Sequence, residues 1–188
     1  MTAHGMQGYT GAIMTDSAPV DTDERLLLAA GQVARLLEDY PCFLATAESC
    51  TGGWVAQSLT AIAGSSAWFD SGLVTYSNAA KQRLLDVPEE LLAPDGPGAV
   101  SEATVLAMAR GAVSNTNALI SVAVSGVAGP AGGSLEKPVG TVWIAWKINE
   151  LEEAQHFLFV GDRESVRRAT VVAALEGLVQ RLEQEIRS

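Results

Sequence analysis

The first turn that could do chemistry is the segment 48–53, Glu-Ser-Cys-Thr-Gly-Gly, in which Ser49 is a candidate nucleophile. A short apolar strand precedes this turn and a helical pattern follows it, so free amides and the positive end of a helix dipole would lie near Ser49. Those groups could stabilise an oxyanion or hold a phosphate. Ser, Thr and Gly are also common at helix starts for structural reasons, so a simple capped helix is the alternative. Cys50 is a rival nucleophile, although a buried cysteine behaves as a small hydrophobic residue.

The second turn, 76–81, ends in Lys81, which is one of only three lysines in the chain. A lysine beside a crevice can have its pKa lowered by partial burial and can then act as a base toward a serine hydroxyl. A solvated lysine on a helix surface is the alternative interpretation of Lys81.

The third turn, 125–133, is rich in glycine and follows an apolar run, 119–125, with the length of a buried central strand. Its amides could cradle a phosphate, and Lys137 farther along could add a positive charge. The glycine spacing matches neither the P-loop nor the dinucleotide-binding fingerprint, so a standard nucleotide fold is not indicated.

The few histidines and cysteines limit the possible mechanisms. The two histidines are His4, near the N-terminus, and His156, in a predicted strand, so a Ser-His-acid triad would have to use His156. The sequence contains no cluster of His, Cys or carboxylate residues with metal-ligand spacing. We therefore expect no metal, and we expect a lysine to be the base for any nucleophile.

Strand-like and helix-like segments alternate along the chain and would position these turns. The predicted helices are 24–40, 55–62, 78–85, 101–112 and 164–186, and the predicted strands are 43–47, 73–76, 119–125, 139–148 and 155–160. This order predicts an α/β fold, a three-layer α/β/α sandwich with a mixed, partly parallel central sheet that ends in an antiparallel hairpin. Ligands of such sheets bind at the carboxyl ends of the strands, where the three turns would lie. We expect one domain over 24–188 and a mobile tail over 1–23.

The charge of the chain restricts its partners. The 12 basic and 22 acidic residues give a net charge of −10, and 48% of the residues are hydrophobic. This composition excludes an acidic disordered protein, and the net charge argues against duplex DNA or an anionic membrane as partner. No apolar run is long enough to span a bilayer, and neither a signal segment nor a redox cysteine pair is recognisable. These features predict a cytoplasmic protein.

Seven segments together resemble one known family. They are 47–53, 64–66, 74–78, 98–101, 126–130, 137–142 and 161–163. In this order they are similar to the CinA C-terminal domain family, the nicotinamide-nucleotide amidases, and the similarity covers nearly everything from Glu24 onward. The resemblance implies hydrolysis of the carboxamide of nicotinamide mononucleotide to nicotinate mononucleotide and ammonia, without a metal or an organic cofactor.

The resemblance also implies roles for individual residues. Ser49 corresponds to the nucleophile and Lys81 to the general base of the family, with backbone amides at the turn after Ser49 and near Gly126 holding the oxyanion. The substrate-binding or site-supporting residues are then Tyr76, Ser125, Arg163, Thr51, Gly52, Gly126, Gly129 and Lys137. Ser125 departs from the family pattern, in which many members have threonine, but it keeps the hydroxyl group. Arg163 is expected to bind the 5′-phosphate bidentately, and an ion pair with Asp162 or Glu164 is the alternative.

The expected partner is thus a pyridine mononucleotide in nucleotide salvage. We expect no nucleic acid and no membrane as partner, and we expect a homo-oligomer, a dimer or a trimer. Two other functions stay open. One is a non-catalytic nucleotide-binding or regulatory module of the competence and damage-inducible type. The other is a structural interaction domain in which the Ser and Gly turns only cap helices.

Overall fold

The computed structural model of the chain describes residues 22–38, 40 and 42–187. Most of the predicted tail, 1–21, lies outside the described residues, and so does His4. The elements in chain order are α1 (Thr22–Glu38), β1 (Phe43–Glu48), α2 (Trp54–Thr60), a 3₁₀ turn (Ser65–Ala67), β2 (Phe69–Val74), α3 (Asn78–Leu85), α4 (Glu89–Leu92), α5 (Glu102–Ser114), β3 (Ala118–Gly126), β4 (Thr141–Ile148), β5 (Leu151–Leu158) and α6 (Arg163–Arg187).

The five strands form one mixed sheet in the order β2-β1-β3-β4-β5. Strands β2, β1 and β3 are parallel to one another, and β4 and β5 extend the sheet as an antiparallel hairpin. β1 lies between β2 and β3, which explains why its residues after Phe43 are all buried. Both faces of β1 are covered, and its polar residues Thr46 and Glu48 are buried together with the apolar ones.

Helices cover both faces of the sheet, which confirms the predicted three-layer α/β/α sandwich. α1, α2 and α6 pack on one face, and α3, α4 and α5 pack on the other. The α5 side of the sheet is lined largely by alanine: Ala45, Ala47, Ala118, Ala123 and Ala145. These short side chains let α5 come close to the sheet. The backbones of α3 and α5 also approach closely at Gly111. A Cβ atom at this position would lie only 1.9 Å from the carbonyl oxygen of Leu85, so only glycine fits there.

Two strands, β2 and β5, differ most from the sequence prediction, and β4 begins at Thr141 instead of 139. The second strand spans Phe69–Val74 instead of 73–76, so Tyr76 lies in the turn that follows it. The hairpin turn is only Asn149 and Glu150, and β5 begins at Leu151 instead of 155. The start of β5 resembles a loop in sequence because it carries two glutamates, which form ion pairs with Lys147, Arg110 and Arg181.

α4 and the 3₁₀ turn are short elements that the periodicity of the sequence does not predict. No helix in the described part of the chain is both long enough and apolar enough to cross a membrane.

Candidate active site

Ser49 is the first residue after β1, at the carboxyl end of the parallel part of the sheet. Its amide donates to the carbonyl oxygen of Val124 on β3 (3.0 Å), and its own carbonyl oxygen accepts from the amide of Gly52 (3.1 Å). Side chains alternate along a strand, so Ser49 faces the α5 side with Ala47, while Glu48 faces the α2 side. Ser49 is only 9% exposed. We name residues 49–53 the nucleophile turn.

Lys81 reaches Ser49 from α3. This helix begins at Asn78 behind the N-cap Ser77, whose hydroxyl accepts from the amide of Ala80 (3.1 Å). The Lys81 Nζ atom lies 3.0 Å from Ser49 Oγ and donates to the carbonyl oxygen of Thr75 (2.8 Å). Lys81 is 1% exposed, so it is not the solvated surface lysine that the alternative interpretation required. The structure therefore brings the two residues together at hydrogen-bonding distance.

The surroundings of Lys81 favour its uncharged form. Burial lowers the pKa of Lys81 below that of an ordinary lysine. Within the described residues, no carboxylate forms an ion pair with Lys81. A desolvated lysine without a counter-ion loses its proton more readily, and it can then accept one from a serine hydroxyl.

The Glu48 carboxylate accepts hydrogen bonds from the backbone amides that were expected to bind an anion. Its buried carboxylate accepts from the backbone amides of Gly53 (2.9 Å), Val55 (3.0 Å) and Ala56 (2.8 Å) at the start of α2. It also accepts from the Thr51 hydroxyl (2.6 Å). The expectation that the first amides of this helix are free near Ser49 is therefore wrong, because the preceding residue of the chain already satisfies them.

Cys50 does not have the surroundings of a nucleophile. Its side chain belongs to the apolar core between the sheet and helices α1 and α6, on the face opposite Lys81. Burial raises the pKa of the thiol to about 12, so Cys50 stays protonated at neutral pH. Because the thiolate is the reactive form of cysteine, this environment favours Ser49 over Cys50.

Arg167 of α6 contacts the nucleophile turn from the face of the sheet opposite Lys81. Its Nε donates to the carbonyl oxygen of Cys50 (3.1 Å) and its Nη2 to that of Thr51 (2.7 Å). The guanidinium also lies 5.3 Å from the centre of the Trp54 ring. Sequence analysis missed this arginine, although it lies four residues after Arg163 and thus on the same side of the helix.

Ser125 lies beside the nucleophile turn on the same face of the sheet. It follows Val124, the β3 partner of Glu48, and its hydroxyl donates to the carbonyl oxygen of Ala99 (2.8 Å). Ser125 thus connects the loop before α5 to the carboxyl end of β3.

His156 lies on β5, where its ring stacks on that of Trp143 on β4, with 5.1 Å between the ring centres. Within the described chain His156 forms no hydrogen bond with Ser49, so the structure does not support the triad alternative.

Arg163, Tyr76 and Gly129 form a second cluster at the same edge of the sheet. Arg163 donates from Nη1 to the carbonyl oxygen of Gly129 (2.8 Å) and from Nη2 to the Tyr76 hydroxyl (2.8 Å). The alternative of an ion pair with a neighbouring acid is wrong. Asp162 instead accepts from the Ser165 amide (2.9 Å), and Glu164 pairs with Arg168.

The loop 127–140, which we name the glycine-rich loop, is held at its ends and exposed over most of its middle. Backbone hydrogen bonds join Val127 to Thr141 and to Gly140 (2.8 Å each). The Lys137 Nζ atom donates to the carbonyl oxygen of Pro97 (2.6 Å), so this lysine bridges two loops. Gly129 has φ +82°, which only glycine adopts easily, and a Cβ there would lie 2.6 Å from the Val139 side chain.

The predicted residues thus fall into three groups. Ser49 and Lys81 are in contact, and Thr51 and Gly52 belong to their turn. Tyr76, Arg163 and Gly129 form a separate cluster, in which the side chains of Tyr76 and Arg163 are exposed and Gly129 is buried. Ser125, Gly126 and Lys137 join neighbouring loops and strands without touching Ser49 through a hydrogen bond.

Cavities and metal ligands do not point to another site. Two surface cavities of about 460 Å³ each lie elsewhere, one along α1 and one between the end of α1 and Trp68. Neither cavity is lined by Ser49 or Lys81. The candidate site is therefore identified by the contact between these two side chains and not by the volume of a cavity. Among the residues that the structure describes, no group of three or more His, Cys, Asp or Glu side chains could hold a metal ion.

Comparison with known proteins gives a consistent set of similarities. The sequence model of one protein family, the CinA C-terminal domain, matches residues 28–182 of this chain. A nicotinamide-nucleotide amidohydrolase PncC of Pseudomonas putida is 53% identical over 151 residues, which cover 80% of this chain and 93% of that protein. The PncC protein of Escherichia coli K12 is 49% identical over 87% of this chain and 98% of its own length. The crystal structure of the competence/damage inducible protein CihA from Agrobacterium tumefaciens has a TM-score of 0.81 and 43% identity, and the match covers 85% of this chain and 96% of that one.

Proposed function

The chain belongs to the CinA C-terminal domain family, and from this premise we propose that it hydrolyses the carboxamide of nicotinamide mononucleotide to nicotinate mononucleotide and ammonia. Relatives that share about half of its residues over most of their length are named nicotinamide-nucleotide amidohydrolases, so amide hydrolysis on a nicotinamide nucleotide is the general activity. The finer proposal concerns the residues that perform it.

The observation that carries the mechanism is the buried contact of 3.0 Å between Lys81 Nζ and Ser49 Oγ. In its uncharged form, Lys81 donates one N–H to the Thr75 carbonyl oxygen, which leaves its lone pair free to accept the Ser49 hydroxyl proton. Ser49 Oγ then attacks the carboxamide carbon, and the carbonyl oxygen becomes an oxyanion. The lowered pKa of Lys81 makes this proton transfer easier than it would be for an ordinary lysine.

The second half of the reaction uses the same two residues. The Lys81 ammonium gives its proton to the amide nitrogen, the C–N bond breaks and ammonia leaves, so that the nicotinoyl group is an ester of Ser49. Lys81 next accepts a proton from water, and the resulting hydroxide attacks the ester carbon. The C–O bond to Ser49 breaks, Ser49 recovers its proton from Lys81, and nicotinate mononucleotide is released.

The cluster of Arg163 and Tyr76 supports a role in holding the 5′-phosphate. The Arg163 side chain is exposed, and its planar fork of N–H groups suits two phosphate oxygens. That fork donates to the neutral oxygens of Gly129 and Tyr76, which an anionic ligand could replace. Lys137 is a further cation of the proposed substrate region.

Further properties of the proposed enzyme stay predictions. They are a dimer or trimer, a cytoplasmic location, a role in salvage of pyridine nucleotides, catalysis without a cofactor, and the absence of a nucleic-acid partner.

The test is ammonia release from nicotinamide mononucleotide by the purified protein. Ser49→Ala and Lys81→Met should each lower kcat by about a thousandfold or more, because each removes half of the nucleophile-base pair. Matched controls are Cys50→Ala, next to the nucleophile, and Lys147→Met, a lysine paired with Glu152. Both controls should keep near wild-type rates.

Three outcomes would contradict the proposal. Full activity of Ser49→Ala together with loss in Cys50→Ala would transfer the chemistry to Cys50. Binding of the nucleotide by the wild-type protein without ammonia release would favour the regulatory module. Neither binding nor release would favour a structural interaction domain.

A further inference from the structure

Two charged side chains hold the nucleophile turn, Glu48 at the end of β1 and Arg167 on α6. On the α2 side, Glu48 accepts from the Thr51 hydroxyl and from three amides at the start of α2. On the α6 side, Arg167 donates to the carbonyl oxygens of Cys50 and Thr51. The remaining Gly52 amide donates to the Ser49 carbonyl oxygen. These contacts account for most of the polar groups that the turn carries.

Two amides of this turn have no acceptor on another residue. In the part of the chain that the structure describes, the N–H groups of Cys50 and Thr51 make no hydrogen bond to another residue, and the Cys50 N–H contacts its own thiol. They belong to the two residues that directly follow the nucleophile. Backbone N–H groups that lack a partner beside a nucleophile are the donors that an oxyanion requires.

Arg167 determines the direction of one of these two amides. A trans peptide is planar, so the N–H of Thr51 points opposite to the C=O of Cys50 in the same peptide group. Arg167 holds that carbonyl toward α6, and α6 packs on the sheet face opposite α3. The Thr51 N–H must therefore point away from α6. Lys81 and the Ser49 side chain lie on that other face.

We propose that Arg167 is a positioning residue that holds the 50–51 peptide so that the Thr51 amide donates to the oxyanion formed at Ser49. This inference rests on the proposed function, since the oxyanion arises only if Ser49 attacks an amide. Without Arg167 the peptide could rotate, and its carbonyl oxygen would then repel the oxyanion instead of an N–H stabilising it. Arg167 acts through the backbone and is not itself a substrate contact.

An arginine suits this position better than a lysine. Its planar fork spans two successive carbonyl oxygens with donors whose relative directions do not change. Trp54 lies behind the guanidinium at 5.3 Å and helps to hold its plane.

The next residue, Arg168, provides a matched control. Its guanidinium lies 4.9 Å from the same Trp54 ring, but its hydrogen bonds go to Asp23 and Glu164 and none goes to the nucleophile turn.

The experiment measures kcat and KM for ammonia release from nicotinamide mononucleotide by the full chain carrying Arg167→Ala, Arg167→Lys or Arg168→Ala. Loss of one oxyanion donor costs about 100- to 1000-fold in kcat, so a misdirected donor should lower kcat by about 10- to 100-fold in Arg167→Ala. KM should change by less than about threefold, because the oxyanion is absent from the bound substrate. Arg167→Lys should recover part of kcat, and Arg168→Ala should stay within about twofold of wild type.

Added guanidinium ion gives a second measurement that a general structural role would not affect. It should restore part of kcat in Arg167→Ala and none in Arg168→Ala, because only the first variant leaves two carbonyl oxygens without a donor. If Arg167→Ala does not fold, the same comparison uses Arg167→Lys, with the melting temperature as the check on folding.

The outcomes separate this inference from the proposed function. A wild-type protein that releases no ammonia overturns both. An active wild type in which Arg167→Ala keeps its kcat, or loses activity through KM alone, overturns only the role of Arg167. Loss of kcat without any rescue by guanidinium also overturns it.

Discussion

The nucleophile turn and the glycine-rich loop leave neighbouring parallel strands at the same edge of the sheet, yet they are held very differently. The charged side chains of Glu48, at the end of β1, and of Arg167, on α6, bind the nucleophile turn, and its first three residues are buried. The glycine-rich loop is exposed through its middle, and its side-chain anchors are Arg163 and Lys137. This difference matches the two proposed roles. The nucleophile turn must hold the reacting atoms in a fixed geometry, whereas the glycine-rich loop can change its conformation when it binds a ligand.

The largest expected effect on folding comes from Glu48→Gln in the rigid region. A carboxamide keeps one acceptor oxygen but turns an NH₂ group toward buried donors, so either the Ala56 amide or the amides of Gly53 and Val55 lose their acceptor. We expect a loss of about 3 kcal/mol in the free energy of unfolding. For a domain of this size, that loss lowers the melting temperature by roughly 6–12 °C.

The control for Glu48 is Glu136→Gln in the glycine-rich loop, where the side chain is exposed. Thermal unfolding should place this variant within about 0.5 kcal/mol of wild type. Equal destabilisation by the two substitutions would remove the contrast between the two regions.

A smaller, pH-dependent effect is expected for Lys81→Met. Burial lowers the pKa of Lys81 in the folded protein, so between that lowered pKa and the ordinary lysine pKa the unfolded chain binds more protons than the folded one. Stability contributed by Lys81 therefore increases as pH rises through this window, and it is lost as pH falls through the folded pKa. Lys81→Met lacks this dependence, so wild type should gain stability relative to the variant toward alkaline pH.

Urea unfolding of both proteins at several pH values measures this difference. A constant difference across the window would mean that Lys81 titrates as an ordinary lysine, and the base role would lose its electrostatic support.

The smallest effect on folding is expected for Arg163→Lys at the edge of the glycine-rich loop. This side chain is exposed, so stability should change by less than about 0.5 kcal/mol. Its expected effect is on binding instead: loss of a bidentate phosphate contact should raise KM for nicotinamide mononucleotide by about tenfold. Steady-state kinetics with nicotinamide riboside, which lacks the phosphate, supplies the control. If KM for the riboside rises equally, Arg163 does not bind the phosphate.

Much of the fold could be predicted from local sequence patterns. The five longer helices, α1, α2, α3, α5 and α6, and the three central strands follow from hydrophobic periodicity, and the three-layer arrangement follows from their alternation. The errors lie where polar residues occupy an edge. β5 begins among glutamates that ion pairs stabilise, and those partners, Arg110, Lys147 and Arg181, are brought near by tertiary packing.

The candidate site could be predicted in part. Ser49 and Lys81 each follow a strand end, and parallel strand ends meet at one edge, so their proximity was accessible from sequence. The sequence leaves Cys50 open as a rival nucleophile, and its location in the apolar core of the folded chain favours Ser49.

By itself, the sequence determined which residue types lie at which strand ends, because strand and helix periods are local properties. Only the tertiary structure decided which backbone groups stay free at the nucleophile turn. Glu48 turns its carboxylate to the amides of α2, and Arg167, more than a hundred residues later, turns the next carbonyls toward α6. Hydrogen bonds between residues so far apart depend on how the layers pack, and no local pattern encodes that packing.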